Sequence, residues 1–125
     1  MQKSKEQKYS EWLGRLREKS AAGISIIVEG NRDERKLREL GVTGPILKIQ
    51  GKRVAAWVET LPEEVIVMTD FDRQGAEYMG QIKRIGERNG KKVDTLHRVK
   101  IFSNTFARCV EELPVPSQNP AEQPL

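Results

Sequence analysis

Four short apolar or β-branched runs, each followed by a stretch of helical character, constrain this chain more than any other feature. The runs are ISIIV at 24–28, ILKI at 46–49, VIVMT at 65–69 and VDTLHRV at 93–99. After the first, Asn31 as a helix-cap residue and Glu34 three positions on offer a helix start, and the helix stops at Gly41. A second helix is expected over 53–60, with Pro62 as its breaker, and a third over 74–89, closed by Gly90. Ahead of the first run, Tyr9, Leu13 and Leu16 recur at helical spacing with Trp12 beside them, which predicts an amphipathic helix over 5–20. Ser103 is expected to cap a last helix reaching Glu112, with Phe106, Cys109 and Val110 on its packed face. Apolar strands alternating with helices mean βαβ units, and these build a parallel sheet covered on both faces. The expected class is α/β, a mainly parallel four-stranded sheet flanked by helices.

Residues 1–23 then form an N-terminal helix and 24–112 the α/β domain. Residues 113–125, LPVPSQNPAEQPL, hold four of the six prolines and read as a tail that is mobile or extended on the surface. The chain of 125 residues is long enough for one core. Its apolar runs fall far short of the roughly 20 residues of a membrane span, and MQKSKEQKYS does not look like a signal peptide, so a cytoplasmic protein with no membrane partner is expected. A single cysteine, Cys109, and a single histidine, His97, remove intramolecular disulfides, multi-cysteine zinc sites and most Ser/His chemistry. No glycine-rich nucleotide loop of the G-x-x-x-x-G-K-[ST] or G-x-G-x-x-G type is present. The net charge of +4 is compatible with a phosphate-rich partner and carries little weight alone.

In an open parallel sheet, ligands gather beyond the carboxyl ends of the strands. Glu29 follows ISIIV directly and Asp70 follows VIVMT directly, so both acids emerge at that edge. Alternate residues of an extended chain face the same way, so Asp72 joins Asp70 while Phe71 turns back toward apolar packing. Two like charges about 5 Å apart cost about 3 kcal/mol at an effective dielectric near 20, so a compensating positive charge is expected. Carboxylate oxygens are hard ligands, and Mg²⁺ or Mn²⁺ held by Asp70 and Asp72, with Glu29 nearby, would supply it.

The residues VEG at 28–30 with Asp33 following, and TDFDRQG at 69–75, about 40 residues apart, resemble the two signature motifs of the Toprim domain. That domain is shared by topoisomerases, bacterial-type primases, some nucleases, ribosomal RNA maturases and recombination mediators. The resemblance spans roughly 24–102 and is similar to small stand-alone archaeal Toprim proteins. It implies a Rossmann-like Toprim fold with one or two Mg²⁺ ions. It also implies that Glu29 serves as metal ligand and general acid or base, and that Asp70 and Asp72 coordinate the metal. Arg73 matches a basic residue placed to meet phosphate. Gly30 would permit a tight strand-to-helix turn and Gly75 a close backbone approach at the next helix. Lys52 and Arg53, after Gly51, are further candidates for phosphate contact, weighed against simple solvation.

The chain also departs from that pattern. Its only tyrosines are Tyr9 and Tyr78, with no second domain to present a nucleophile, which argues against strand passage. One cysteine cannot build the zinc module of a primase. Gly75-Ala76-Glu77 stands where type IA topoisomerases have Gly-Glu, and Asp94 is isolated from further acids. Arg32, Arg35, Lys36 and Arg38 read first as a solvated helix face, His97 as structural, and Trp57 with Val54 as core. The leading expectation is a Mg²⁺-dependent protein acting on RNA or DNA, by phosphodiester hydrolysis or processing. The alternatives are a non-catalytic nucleic-acid or protein-binding Toprim module working with a protein partner, and a haloacid-dehalogenase-like phosphatase with Asp70 as nucleophile.

Overall fold

The structure is a computed structural model that describes residues 2–116. Its elements are α1 (Lys5–Ala21), β1 (Ser25–Val28), α2 (Asn31–Glu39), β2 (Ile46–Lys48), α3 (Val54–Glu59), β3 (Glu64–Val67), α4 (Arg73–Arg88), β4 (Lys92–Asp94), α5 (Leu96–Phe102) and a single 3₁₀ turn (Val110–Glu112). The four strands form one sheet in the order β2-β1-β3-β4, and every pairing is parallel. This is the α/β architecture the alternation requires, with a Rossmann-like arrangement of helices on both faces.

Period-two alternation in the central strands splits the core into two layers. Ile26, Val28, Ile66 and Met68 pack with Tyr9, Leu13 and Leu16 of α1, Leu37 of α2, and Ile101 and Phe102 of α5. Ile27, Val65 and Val67 point the other way, onto Val58 of α3 and Ile82 of α4. The two inner strands are therefore apolar on both faces, as a sheet covered on both sides demands. Among the described residues no helix is long and apolar enough to cross a membrane.

The structure departs from expectation after β4. A strand through Val99 was expected, yet the strand ends at Asp94 and a helix begins at Leu96. The Asp94 carboxylate accepts from the His97 backbone N–H at 3.1 Å and lies 3.0 Å from the His97 ring Nδ1, so it organises the first turn. The buried residues of α5 are His97, Arg98, Ile101 and Phe102, a helical spacing, while Leu96 and Val99 are exposed. The β-branched residues suggested a strand, but the side that packs is the one carrying a histidine and an arginine.

The helix expected over 103–112 is accordingly not formed. Ser103 is the C-cap of α5, the following segment consists of turns, and Phe106 is fully exposed rather than packed. Val110 is buried, as expected, but from the 3₁₀ turn. The proline-rich segment also begins by packing: Leu113 is buried, and the Pro114 carbonyl accepts from the Tyr9 hydroxyl at 2.6 Å. Burial pushes the Tyr9 phenol up to about 12, with Arg17 acting in the opposite direction. The rest of the expected tail, residues 117–125, lies outside the described residues.

Candidate functional site

The chain runs from β1 outward to β2 on one side, then crosses to β3 and outward to β4 on the other. The crevice at the reversal of strand order therefore lies between the carboxyl ends of β1 and β3, where such sheets bind ligands. Glu29 leaves β1 there, and Asp70 leaves β3 two residues after Met68 donates its backbone N–H to the Ile27 carbonyl at 2.7 Å. The two loops are joined directly, because the Asp70 backbone N–H donates to Glu29 Oε2 at 2.8 Å.

Each neighbouring acid is also anchored to backbone through one carboxylate oxygen. Asp70 Oδ1 accepts from the Val110 N–H at 2.9 Å, and Asp72 Oδ1 accepts from the Gly75 N–H at 2.8 Å as the cap of α4. Asp33 Oδ2 accepts from the Gly30 N–H at 3.0 Å. Glu29 and Asp70 are half-buried, Asp33 is buried and Asp72 is exposed. Phe71, between the two aspartates, turns inward and stacks on Phe102 with centroids 5.3 Å apart.

Burial is the main cause that raises the Glu29 carboxyl above its ordinary range; the Asp70 N–H partly offsets it, and the charges of Asp70, Asp72 and Asp33 add to it. Burial likewise raises Asp70, opposed by the Val110 N–H and reinforced by Asp72 and Glu111. Asp33 is raised by burial and by Asp70. Burial, more than mutual repulsion, raises all three carboxyls.

The protein's own counter-charge is Arg98, which sequence reasoning missed. The residue is only 3% exposed. Nε donates to the Thr69 carbonyl at 2.9 Å and Nη2 to the Asp70 carbonyl at 2.6 Å, while Nη1 lies 3.3 Å from Met79 Sδ. The guanidinium also sits 5.1 Å from the Phe71 ring centroid. Burial pulls the guanidinium below its ordinary value, and the charges of Asp72, Glu29 and Asp70 act to hold it up. Arginine stays charged regardless, so it serves as a fixed cation beneath the carboxylates. No sequence signal marked it, since it lay in a stretch read as strand. Asp33 was quoted in the first motif without a role, and its position three residues after Gly30 is the capping spacing that could have assigned one. The Val110 N–H and Glu111 arrive from a segment read as helix.

Other expected contacts fall elsewhere. Arg73, the first residue of α4, is 95% exposed in its side chain and lies 3.6 Å from Glu77, so both point into solvent as a surface pair. Lys52 and Arg53 are exposed beyond β2, Lys52 lining a groove described below. The basic cluster on α2 divides: Arg38 meets Glu34 and the Val42 and Gly44 carbonyls, Lys36 meets Glu39, and Arg32 and Arg35 are exposed. Gly30 is extended, at φ −155°, so the turn does not need a glycine for its backbone, and an added Cβ would meet only the Gln50 side-chain oxygen at 3.1 Å.

Gly75 is different, because a Cβ there would overlap the Asp70 carbonyl oxygen. The Thr69 hydroxyl donates to the Gly75 carbonyl at 2.7 Å, closing the 69–75 loop on itself. Gly75→Ala must therefore push Asp70 and Asp72 apart from the helix start. It is expected to cost about 3 kcal/mol, the upper end of overpacking, measured by denaturant unfolding.

Among the described residues no three acidic, histidine or cysteine side chains stand together as a ready cation cage. Mg²⁺ does not need one, since it binds through one or two carboxylates and keeps waters or phosphate oxygens for its other positions. The donors at this edge are carboxylate oxygens, the hard ligands that suit Mg²⁺ or Mn²⁺.

No family model matches the chain. A UPF0292 protein of Archaeoglobus fulgidus is 37% identical over 97 residues, covering 77% of each chain. A UPF0292 protein of Pyrococcus abyssi is 37% identical over 105 residues, covering 81% of this chain and 77% of its own. A solved structure of an Aquifex aeolicus protein superposes with a TM-score of 0.71 at 28% identity, over 82% of this chain and 95% of that one. With identity and coverage of this extent, the chain belongs to the UPF0292 family.

Proposed function

We propose that the protein is a Mg²⁺-dependent Toprim-type protein that acts on the phosphodiester backbone of nucleic acid. The observation that carries this reading is the junction of Glu29 and Asp70 across the switch point of the sheet, with Asp72 at the start of α4. Asp70 and Asp72 would hold the ion, with Glu29 beside it. When bound, the ion supplies Lewis acidity toward a phosphoryl oxygen.

The rest of the work belongs to the chain. Glu29, with its carboxyl raised by burial, is suited to take a proton from the attacking oxygen or return one to the leaving oxygen. Arg98 acts as a positioning residue, because it grips the carbonyls of Thr69 and Asp70 and so fixes the direction in which the Asp70 carboxylate points. Asp72 holds the start of α4 through the Gly75 N–H, keeping both aspartates on one rigid loop.

The test is cleavage of end-labelled structured RNA, single-stranded DNA and duplex DNA with Mg²⁺ or Mn²⁺, with an EDTA control. Metal-dependent cutting by the native protein is expected. Binding without cutting would favour a non-catalytic module awaiting a protein partner, and a phosphorylated Asp70 would favour a phosphatase.

A further inference from the structure

A groove of about 500 Å³ opens beside the carboxylate edge, lined by Asn31, Ile46, Lys48, Gln50, Lys52 and Trp57 among others. Gln50, on its wall, joins it to the carboxylate edge. The Gln50 N–H donates to the Glu29 carbonyl at 2.9 Å, and the Gln50 side chain lies against Gly30. Trp57 was expected to be core; part of it does pack against the layer around Val58 and Ile82, yet the residue is only half-buried and faces the groove.

A phosphate backbone reaching the carboxylates needs cations nearby. Arg98 is buried and committed to two carbonyls, Arg73 lies against Glu77, and Lys48 is held by Asn31 at 2.8 Å and Glu34 at 3.0 Å. Lys52, on the groove, and Arg53, next to it, are exposed and form no ion pair among the described residues. An aromatic face beside two uncommitted cations is the combination that holds unpaired nucleotides, by stacking and by backbone attraction. Base pairs inside a duplex have both faces covered by their neighbours and cannot offer one to an indole.

We infer that this groove binds a single-stranded segment of nucleic acid, with a base on Trp57 and phosphate on Lys52 and Arg53, leading the strand toward Glu29 and Asp70. The inference rests on the function proposed above and names its substrate as single-stranded.

The test is made in EDTA, so that it does not depend on catalysis. Full-length Trp12→Phe protein reports Trp57 emission alone while oligothymidylate, oligouridylate or a blunt DNA duplex is added; labelled-strand anisotropy gives affinities. Saturable quenching by the single strands and weaker binding of duplex are expected. Trp57→Ala should weaken single-strand binding about tenfold. The exposed Lys52→Glu, whose fold is checked by circular dichroism, should also weaken it and flatten its salt dependence. Unchanged Trp57 emission on binding, equal duplex affinity, unchanged binding by both variants, or no binding would each overturn the inference. If metal-dependent cleavage persists when the groove fails, the function stands and only the groove is wrong; if the groove binds without any cleavage, the reverse holds.

Discussion

Arg98→Ala is expected to lower stability by about 3–5 kcal/mol, the combined cost of leaving the Thr69 and Asp70 carbonyls without their charged donor and of removing the buried cation that the half-buried acids face. For a domain of this size the corresponding fall in Tm is roughly 10–20 °C. Two effects combine. The carbonyls of Thr69 and Asp70 lose their donors in a buried place, and Glu29, Asp70 and Asp72 lose the cation that faces them. Arg98→Lys keeps the charge without the planar fork that reaches both carbonyls, and should recover only part of the loss. Thermal unfolding of the three proteins in EDTA checks this, and an alanine variant melting within about 2 °C of the native protein would remove Arg98 from the account.

Glu29→Gln and Asp70→Asn should act in opposite directions on activity and stability. Each variant keeps an acceptor oxygen for the Asp70 or Val110 N–H, so the local hydrogen bonds survive. Each loses a charge, and metal-dependent cleavage should fall about 100-fold or more. Stability without metal should rise at neutral pH. Because burial and neighbouring acids raise both carboxyls in the folded state, the native protein retains protons that the unfolded chain has already released. Stability therefore falls as pH climbs from the ordinary carboxylate range, near pH 4, through the raised folded values, and is flat above them. Each amide variant lacks its own carboxyl's share of that loss. Melting curves in EDTA from acid to neutral pH should show each variant overtaking the native protein as pH rises.

Much of the fold was legible in the sequence for a physical reason. The inner strands are apolar on both faces, and ISIIV and VIVM can be little else; Gly41 and Gly90 announce helix stops, whereas α2 is capped at Gly30 through Asp33 and the side chain of the expected cap residue Asn31 bonds Lys48 instead. Glu29 and Asp70 were placed at one edge by the rule that strand ends share a side of a parallel sheet. What lay beyond local pattern was the segment after β4, residues 95–116. There Asp94 starts a helix whose packing side holds His97 and Arg98, and tertiary contacts overrode the strand preference of Val99. Arg98 and the Val110 N–H reach the site from 28 and 40 residues away, and no spacing rule connects them to Asp70.

The most direct test of the account is whether the acidic edge takes up a divalent cation. Thermal unfolding of the native protein and of Asp70→Asn at neutral pH, with millimolar Mg²⁺ or with EDTA, reads this without any assumption about substrate. The account predicts that Mg²⁺ raises the native Tm, by mass action on the folded state, and leaves the variant near its EDTA value. Equal Tm values for the native protein in both buffers, or an identical rise in the variant, would contradict it.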